Sequence, residues 1–250
     1  MLSETPWKVV SATPYEVAVL PWGATEAHNF HLPYGTDNVE SEAIAAEAAR
    51  RAWERNARVV VLPAVPFGVQ TGQLDIPLCI NMNPSTQAAL LTDIAHSLET
   101  QKIPKLVVLN GHGGNDFRQI IRELQARTRV FLTLVDWYKV VSPKDYFSDV
   151  GDHAGEIETS LMMHIAPQLV LPLSDAGPGR ARKPRIRAMR EGWAWAPRRW
   201  TQVTVDTGIG NPAAATAEKG ARYFVAIAEQ IAAFLVELAG IDPGDLYQES

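Results

Sequence analysis

Four side chains that can bind a metal ion fall within twelve residues near the start of the chain. They are Glu26, His28, His31 and Asp37. Carboxylate oxygens combined with imidazole nitrogens suit Zn, Mn or Fe, and the lack of thiolates argues against a structural zinc site of the cysteine type. A polar surface loop would have a similar composition, so this segment alone leaves both interpretations open.

A second polar segment, residues 110–115 (NGHGGN), directly follows an apolar run. Its glycines let the backbone approach a ligand closely, and we predict that Gly113, Gly114 and Asn115 bind the substrate by helping to hold its oxyanion. Core packing explains His112 poorly among such small neighbours. A phosphate-binding loop is the alternative, but the usual Lys-Ser/Thr ending is absent. The segment therefore indicates a metal or oxyanion site.

A third segment, residues 152–160 (DHAGEIETS), places a histidine before a predicted helix and two acids in its first turns. Acids at a helix N-terminus also complement the helix dipole. Capping is therefore the favoured interpretation of Glu156, and Glu158 stays open between capping and metal binding. A structural role explains His153 less easily.

The elements that must position these segments alternate between short β-branched runs and helical patterns. Strands are predicted over residues 17–21, 58–65, 105–110 and 130–135. Helices are predicted over 38–55, 116–127, 157–165 and 213–239, and over 84–101 with Asn83-Pro84 as cap and first turn. This alternation implies one α/β domain with a mostly parallel sheet covered on both faces. The polar segments follow strands, where such sheets bind ligands.

The composition excludes several classes of function. A net charge of -5 over 250 residues argues against nucleic acid as the main partner. The single cysteine, Cys79, excludes an intrachain disulfide framework, fits a cytoplasmic location and is predicted to be a packed residue. No apolar run is expected to span a membrane.

Residues 172–212 are rich in Pro, Gly, Arg and Trp and are predicted to leave the sheet as a long excursion. Its tryptophans, Trp193, Trp195 and Trp200, are expected to bury against a neighbouring subunit rather than stack on a ligand.

The segments LPWGATEAHNFHLPYGTD, VVLNGHGGN and DHAGEIETS resemble, in order and spacing, the motifs of the creatininase (creatinine amidohydrolase) family. The late segment GIGNPAAATAEKG is similar to that family's Gly-rich stretch before its last helix, so the resemblance spans residues 15–235. It implies a three-layer α/β/α fold, a homohexamer and two divalent metal ions per chain.

The resemblance also implies roles for the candidate ligands. Glu26 and His112 would bind one metal, His28 the other, and Asp37 would bridge the two. Creatininase has a further glutamate ligand where this chain has Gly114. Glu158 is therefore our candidate to complete the second metal's shell and to take part in catalysis.

The implied chemistry is hydrolysis of a non-peptide C–N bond in a small cyclic amide or formamide. Two metals would share a bridging hydroxide, and His153 would carry a proton to the leaving nitrogen. Trp137 matches a tryptophan that covers the substrate in creatininase, but the second covering tryptophan is replaced by Asp149. The family's Phe-Pro-Gly-Thr segment is changed to residues 76–79 (IPLC), so the expected substrate is creatinine-like rather than creatinine itself.

Two other functions compete with this prediction. One is a formamide deformylase of flavin or deazaflavin precursor metabolism, or a related small-peptide hydrolase, with the basic stretch 180–190 binding a phosphorylated substrate. The other is a non-catalytic, oligomeric metal-binding scaffold. The full set of ligand-type residues, together with His153, argues against the scaffold.

Overall fold

A computed structural model describes residues 1–248 and contains a four-stranded sheet in which all neighbouring strands are parallel. The strands are β1 (Val17–Trp22), β2 (Val59–Val61), β3 (Lys105–Asn110) and β4 (Phe131–Asp136). Their spatial order is β2-β1-β3-β4. The polar segments that follow β1 and β3 therefore leave adjacent central strands. Because parallel strands end at the same edge, those segments meet there.

Helices cover both faces of this sheet. The helices are α1 (Trp7–Val10), α2 (Thr36–Glu54), α3 (Pro84–Thr100), α4 (Arg118–Gln125), α5 (Glu156–Ile165), α6 (Arg187–Arg190), α7 (Trp200–Val203) and α8 (Ala217–Gly240). Residues of α2, α5 and α8 pack on one face, and residues of α3 and α4 pack on the other. The predicted three-layer α/β/α architecture is confirmed.

The alternation of side chains along β1 explains the two separate cores. Val17 and Val19 join the core under α2 and α8, whereas Ala18 and Leu20 join the core under α3. Successive side chains of a strand point to opposite faces, and both faces are covered here. A strand buried on both sides therefore reads as a continuous apolar run.

Two element boundaries differ from the sequence-based prediction in ways that matter for the site. The predicted strand 58–65 is reduced to β2, because Pro63 cannot donate to a ladder; beyond it, only Val65 forms an isolated bridge, with Trp22. Helix α2 begins at Thr36 rather than residue 38, which places Asp37 in its first turn instead of in the preceding loop.

Other differences concern helix ends: α4 covers Arg118–Gln125, two residues shorter than predicted at each end. Helix α8 begins at Ala217, later than the predicted residue 213, because the hydroxyl of Thr216 accepts a hydrogen bond from the Lys219 backbone N–H (3.2 Å). Helix α3 begins at Pro84 as predicted. However, the Asn83 side chain accepts a bond from Asn81 (2.7 Å) and does not cap the helix.

Within residues 1–248, α8 is long and apolar enough, by length and composition, to cross a membrane. This corrects the expectation that no apolar run reaches that length. Its buried side chains, including Tyr223, Ile227, Ile231 and Leu235, pack in the core with α2 and α5. A core helix buried on one side has the same composition, so packing against α2 and α5 accounts for the apolar composition of α8.

The excursion between α5 and α8 has an organising carboxylate. Buried Asp206 accepts hydrogen bonds from the Thr204 hydroxyl (2.7 Å) and from the backbone N–H groups of Gly179 (2.8 Å) and Gly208 (3.1 Å). These bonds hold two distant parts of the excursion together. The excursion is therefore a folded part of the molecule.

The three tryptophans of the excursion have different surroundings. Trp200 is buried within its own chain, which corrects the expectation that it packs against a neighbouring subunit. Trp193 and Trp195 are 72% and 86% exposed.

Replacing Gly220 with alanine is expected to destabilise the fold, because α8 touches α5 at this residue. The added Cβ would lie 1.8 Å from the backbone oxygen of Ser160, so the two helices would have to separate. We expect a loss of about 1–3 kcal/mol in the free energy of unfolding, measured by urea denaturation. The control is Gly240→Ala in the same helix, where nothing lies within 4 Å of the added Cβ. Equal stability of the two variants would show that the contact is not tight.

Candidate metal centre

Five potential ligands converge at the carboxyl edge of the sheet from four parts of the chain. Glu26 and His28 follow β1, Asp37 lies in the first turn of α2, His112 follows β3, and Glu158 lies in the first turn of α5. The first four are at most 6% exposed, and the Glu158 side chain is 16% exposed. The fold therefore brings together all five residues predicted to bind metal.

Asp37 lies at the centre of this group. Its Oδ1 is 2.9 Å from Nε2 of His28, and its Oδ2 is 3.0 Å from Nδ1 of His112. Oδ2 is buried and makes no hydrogen bond of acceptable geometry within residues 1–248. A carboxylate that presents one oxygen to each of two imidazoles has the geometry of a bridging ligand.

The remaining donor atoms form two groups that share Asp37. Glu26, Asp37 and His112 form one group, and His28, Asp37 and Glu158 form the other; within each group the ligand atoms lie within 4.8 Å of one another. The same criterion also groups Glu26 and His28 with His153. The candidate ligand atoms therefore form overlapping groups around Asp37 and Glu26, and His153 belongs to one of them.

Backbone carbonyls orient the three imidazoles of the site. Nε2 of His112 donates to the carbonyl of Val69 (3.0 Å), and Nδ1 of His28 donates to the carbonyl of Glu26 (3.1 Å). Nε2 of His153 donates to the carbonyl of Ala27 (2.8 Å). Because a carbonyl only accepts, each ring holds its proton on the outer nitrogen and directs the other nitrogen into the site.

Gln73 holds the Glu26 carboxylate in place and was not identified from the sequence. Its Nε2 donates to Oε2 of Glu26, which leaves Oε1 facing His112 at 2.9 Å. Its amide oxygen accepts a bond from the Cys79 thiol (3.3 Å), and that sulfur accepts from the Ala27 N–H (3.3 Å). Cys79 is thus buried and packed as predicted, and burial raises the pKa of its thiol.

Charge, and not burial alone, decides the protonation of the innermost groups. Burial would lower the pKa of His28, but the carboxylates of Asp37, Glu158 and Glu26 together outweigh that effect and raise the pKa to about 10. Burial likewise opposes ionisation of Asp37, but His28 and His112 hold the pKa of Asp37 well below its usual range. These carboxylates therefore require positive charge beside them, which protons on the histidines or bound cations can supply.

The donor set fits divalent cations. Oxygen and imidazole nitrogen ligands suit Zn and Mn, and the unpartnered Oδ2 of Asp37 is a buried acceptor that a cation would satisfy. The outer nitrogens of the histidines are already bonded to the backbone, so the ligand atoms need no rearrangement to face a cation.

The structure distinguishes the two acids at the start of α5. Oε2 of Glu156 accepts bonds from the Ser148 backbone and hydroxyl and from the Asp149 N–H (2.8–3.0 Å), and Oε1 pairs with Lys219 at 2.6 Å. Glu156 therefore holds the preceding loop. Glu158 has one oxygen 3.9 Å from Nε2 of His28 and is the acid that faces the site.

Glu40 is a second residue that was not identified from the sequence. It is fully buried on α2, and neither carboxylate oxygen has a hydrogen-bond partner in the described part of the chain. Burial, together with Glu158 and Asp37, raises its pKa well above the usual range and so favours the protonated form. Its spacing of three residues from Asp37, which places both on one helix face, was the signal available in the sequence.

His31 does not join the other histidines. Its Nε2 is 2.9 Å from the hydroxyl of Thr159, and among residues 1–248 it belongs to no candidate ligand group. Burial and nearby His28 lower its pKa to about 4, so it is neutral at physiological pH. His31 is therefore a buried structural residue, unlike the other three candidate ligands in residues 26–37.

The glycine-rich segment is shaped by close approaches. A Cβ on Gly114 would lie 2.2 Å from the carbonyl oxygen of Val69 and 2.4 Å from Nε2 of His112, so no side chain fits where creatininase has its glutamate. Asn115 accepts bonds from the Val69 N–H (2.9 Å) and from Gln87 (2.8 Å). Its amide nitrogen donates to Asn110 (3.0 Å), so its contacts fix the loop. Around Gly113 there is open space.

A cavity of about 600 Å³ opens above the ligands. Gly113, Gly114, Asn115, Glu158 and His153 line it, as does Trp137. The Trp137 side chain is only 2% exposed and packs largely into the core under α8, so it forms a wall rather than a mobile cover.

An α/β/α fold with a carboxylate–imidazole centre beneath a cavity defines a metal-binding enzyme class. The family model described as creatinine amidohydrolase matches residues 3–235, and the chain therefore belongs to the creatininase family, whose members are hydrolases.

Individual relatives agree with this assignment. The mycofactocin precursor peptide peptidase of Mycobacterium ulcerans (strain Agy99) is 29% identical over 234 residues, which cover 90% of this chain and 86% of the relative. A crystal structure from Bacteroides fragilis NCTC 9343, provisionally named a creatinine amidohydrolase, is 46% identical, with a TM-score of 0.93 and coverage of 99% and 98%. A manganese creatininase shares the fold, with 21% identity, a TM-score of 0.80 and coverage of 96% and 98%.

Replacing Gln73 with methionine is expected to weaken metal binding, because the Glu26 carboxylate would lose the donor that orients it. Outer-shell partners of this kind typically contribute 10–100-fold to metal affinity. The measurement is a zinc titration in competition with a chromophoric chelator. Gln202→Met, at an exposed glutamine, is the control. Unchanged zinc affinity in the Gln73 variant would show that Glu26 needs no such support.

His31 is expected to make the protein less stable in acid. Its pKa is about 4 in the folded protein against an ordinary 6.5, so the unfolded chain binds the extra proton and stability falls as the pH drops through this window. The loss between pH 7 and pH 5 should be about 2 kcal/mol.

The test compares urea unfolding of wild type and His31→Gln, both stripped of metal so that metal release adds no pH dependence. The variant should lose about 2 kcal/mol less than wild type over that range. Parallel pH profiles would contradict a neutral, buried His31.

Proposed function

We propose that the protein is an amidohydrolase that binds two divalent metal ions and cleaves an amide C–N bond. The observation that carries this proposal is the Asp37 carboxylate, which presents one oxygen to His28 and the other to His112. Glu26 joins Asp37 and His112 in one group of ligands, and Glu158 joins Asp37 and His28 in the other. Zinc and manganese are the cations that this donor set suits best.

When bound, a pair of divalent metals supplies Lewis acidity to the amide carbonyl and lowers the pKa of the attacking water. The chain's own residues supply the proton transfers and the binding of the substrate. Glu158 lines the cavity beside His28, where it would complete the second metal's shell and orient the attacking water. Its second oxygen is held by the backbone N–H of Ala154, so its orientation is defined.

His153 is the candidate for proton transfer to the leaving nitrogen. Its Nε2 is fixed on the carbonyl of Ala27, its ring stacks on His28 with centroids 4.2 Å apart, and it lines the cavity. Nδ1, the nitrogen without a backbone partner, lies 3.8 Å from Oε1 of Glu26 at the edge of the centre. Beside it, the backbone around Gly113 has the open space in which a substrate oxyanion would be held.

A phosphorylated substrate receives no support from the cavity. Of the arginines and lysines in residues 1–248, Arg198 alone lines it, and Arg198 is paired with Asp152. The basic stretch 180–190 lies outside the lining. This disfavours the deformylase alternative in its phosphorylated form, and a peptide-like amide joins the cyclic amides and formamides as a candidate because of the relationship to a peptide peptidase.

A non-catalytic scaffold is disfavoured because the cavity reaches the ligands directly. Glu26, Asp37, His112 and Glu158 all line the same space of about 600 Å³. The cytoplasmic location and the homohexamer stay predictions from the sequence.

Replacing Asp37 with alanine tests the proposal. Both metals should be lost, because one carboxylate serves both halves of the centre, and turnover should fall by more than about 100-fold, since an outer-shell partner alone contributes up to that much. Metal content is measured by elemental analysis, and activity on creatinine, cyclic amides, formamides and short peptides. Asp93→Ala, at an exposed aspartate, is the control.

Two metals retained by the Asp37 variant would refute the bridging role. Wild-type protein that stayed free of metal after reconstitution would overturn the proposed function itself.

A further inference from the structure

The outer part of the cavity is built by residues that the proposed chemistry does not use. Trp195, Pro197 and Arg198 of the excursion line it, as do the apolar side chains of Val150 and Ile157. A volume of about 600 Å³ lies within the range for ligands much larger than a single five-membered ring. The ligand groups form only one part of this lining, so the rest has room for a part of the substrate remote from the scissile bond.

The segment that carries this wall, residues 195–201, is anchored at both flanks. Arg198 pairs with Asp152, and its guanidinium lies 4.5 Å from the ring centre of Trp200. The hydroxyl of Thr201 donates to Asp75 (2.6 Å). Contacts with two separate parts of the chain, at Asp75 and Asp152, therefore hold the segment in place.

The segment of residues 195–201 is also in contact with His153, the residue proposed for proton transfer. The Trp200 indole donates to the carbonyl of Thr207 (2.8 Å), and its ring meets the edge of His153 with centroids 5.2 Å apart. A substrate group resting on the wall would therefore lie close to the proton-transfer residue.

The two exposed tryptophans of the excursion differ in whether they line the cavity. Trp195, 86% exposed, lines the cavity, whereas Trp193, 72% exposed, does not line it and bonds instead to Glu191 (3.0 Å). An indole at a cavity mouth offers a flat apolar face for a ligand group at a low cost in side-chain entropy. Because Asp152 neutralises Arg198, the surface beside it suits an uncharged group.

We propose that Trp195 is a specificity-determining residue that stacks on an apolar or aromatic side group adjoining the scissile bond of an extended, peptide-like amide. The inference rests on the proposed amidohydrolase function and names the class of its substrate. A small ring such as creatinine would leave most of the outer cavity empty.

The test uses the full-length, metal-loaded protein and acetylated short peptides that differ only in the residue next to the scissile bond, which is Gly, Leu or Phe. Trp195→Ala should lower kcat/KM for the Leu and Phe peptides at least tenfold, chiefly through KM, and leave the Gly peptide within twofold. Trp193→Ala, the matched control, should leave all three unchanged. Both side chains are exposed, and circular dichroism with metal analysis checks that fold and metal content are retained.

Equal kinetics of wild type and Trp195→Ala on all three peptides would overturn the specificity role and leave the proposed function standing. If wild type hydrolyses creatinine or a formamide but none of the peptides, the substrate class is wrong while the hydrolase proposal holds. If the metal-loaded wild type hydrolyses no amide at all, both proposals fall.

Discussion

The centre of this protein depends on a buried carboxylate shared between two imidazoles. Asp37 is 1% exposed, and a lone charge in such a place would be strongly unfavourable. Its two oxygens face His28 and His112 at about the same distance, so the charge is compensated on both sides. Every other feature of the site supports this one arrangement: the first turn of α2 places the carboxylate, and adjacent strands bring the two histidines to it.

The second layer of the site is made largely of backbone. Carbonyls of Glu26, Ala27 and Val69 each receive a proton from one of the three imidazoles, so the inward nitrogens are fixed by the path of the chain. Gly114 is needed for the same arrangement, because any side chain there would displace the carbonyl of Val69 or the ring of His112. The missing glutamate at this position is therefore a steric consequence of the loop, and Glu158 approaches from α5 instead.

The electrostatic arrangement separates the inner and outer cavity. At the bottom, the carboxylates of Glu26, Asp37 and Glu158 lie close together and favour the binding of cations, and burial beside them raises the pKa of Glu40. Away from the ligands, Arg198 and Asp152 neutralise each other, and Asp116 is the other charged side chain of the lining within residues 1–248. The inner half is thus suited to metal chemistry and the outer half to the recognition of uncharged, apolar groups.

The sequence by itself determined the fold class and the ligand types, because strand periodicity, burial on both faces and the positions of Glu26, His28 and His112 after strands are local properties. Tertiary structure decided which acids and histidines meet. Glu156 and Glu158 are two residues apart, yet only the packing of the 148–149 loop assigns the first to structure. Gln73 gains its importance solely from its contact with Glu26, and His31 loses its predicted role because Thr159 lies next to it. Such contacts join residues far apart in the chain, and no spacing rule encodes them.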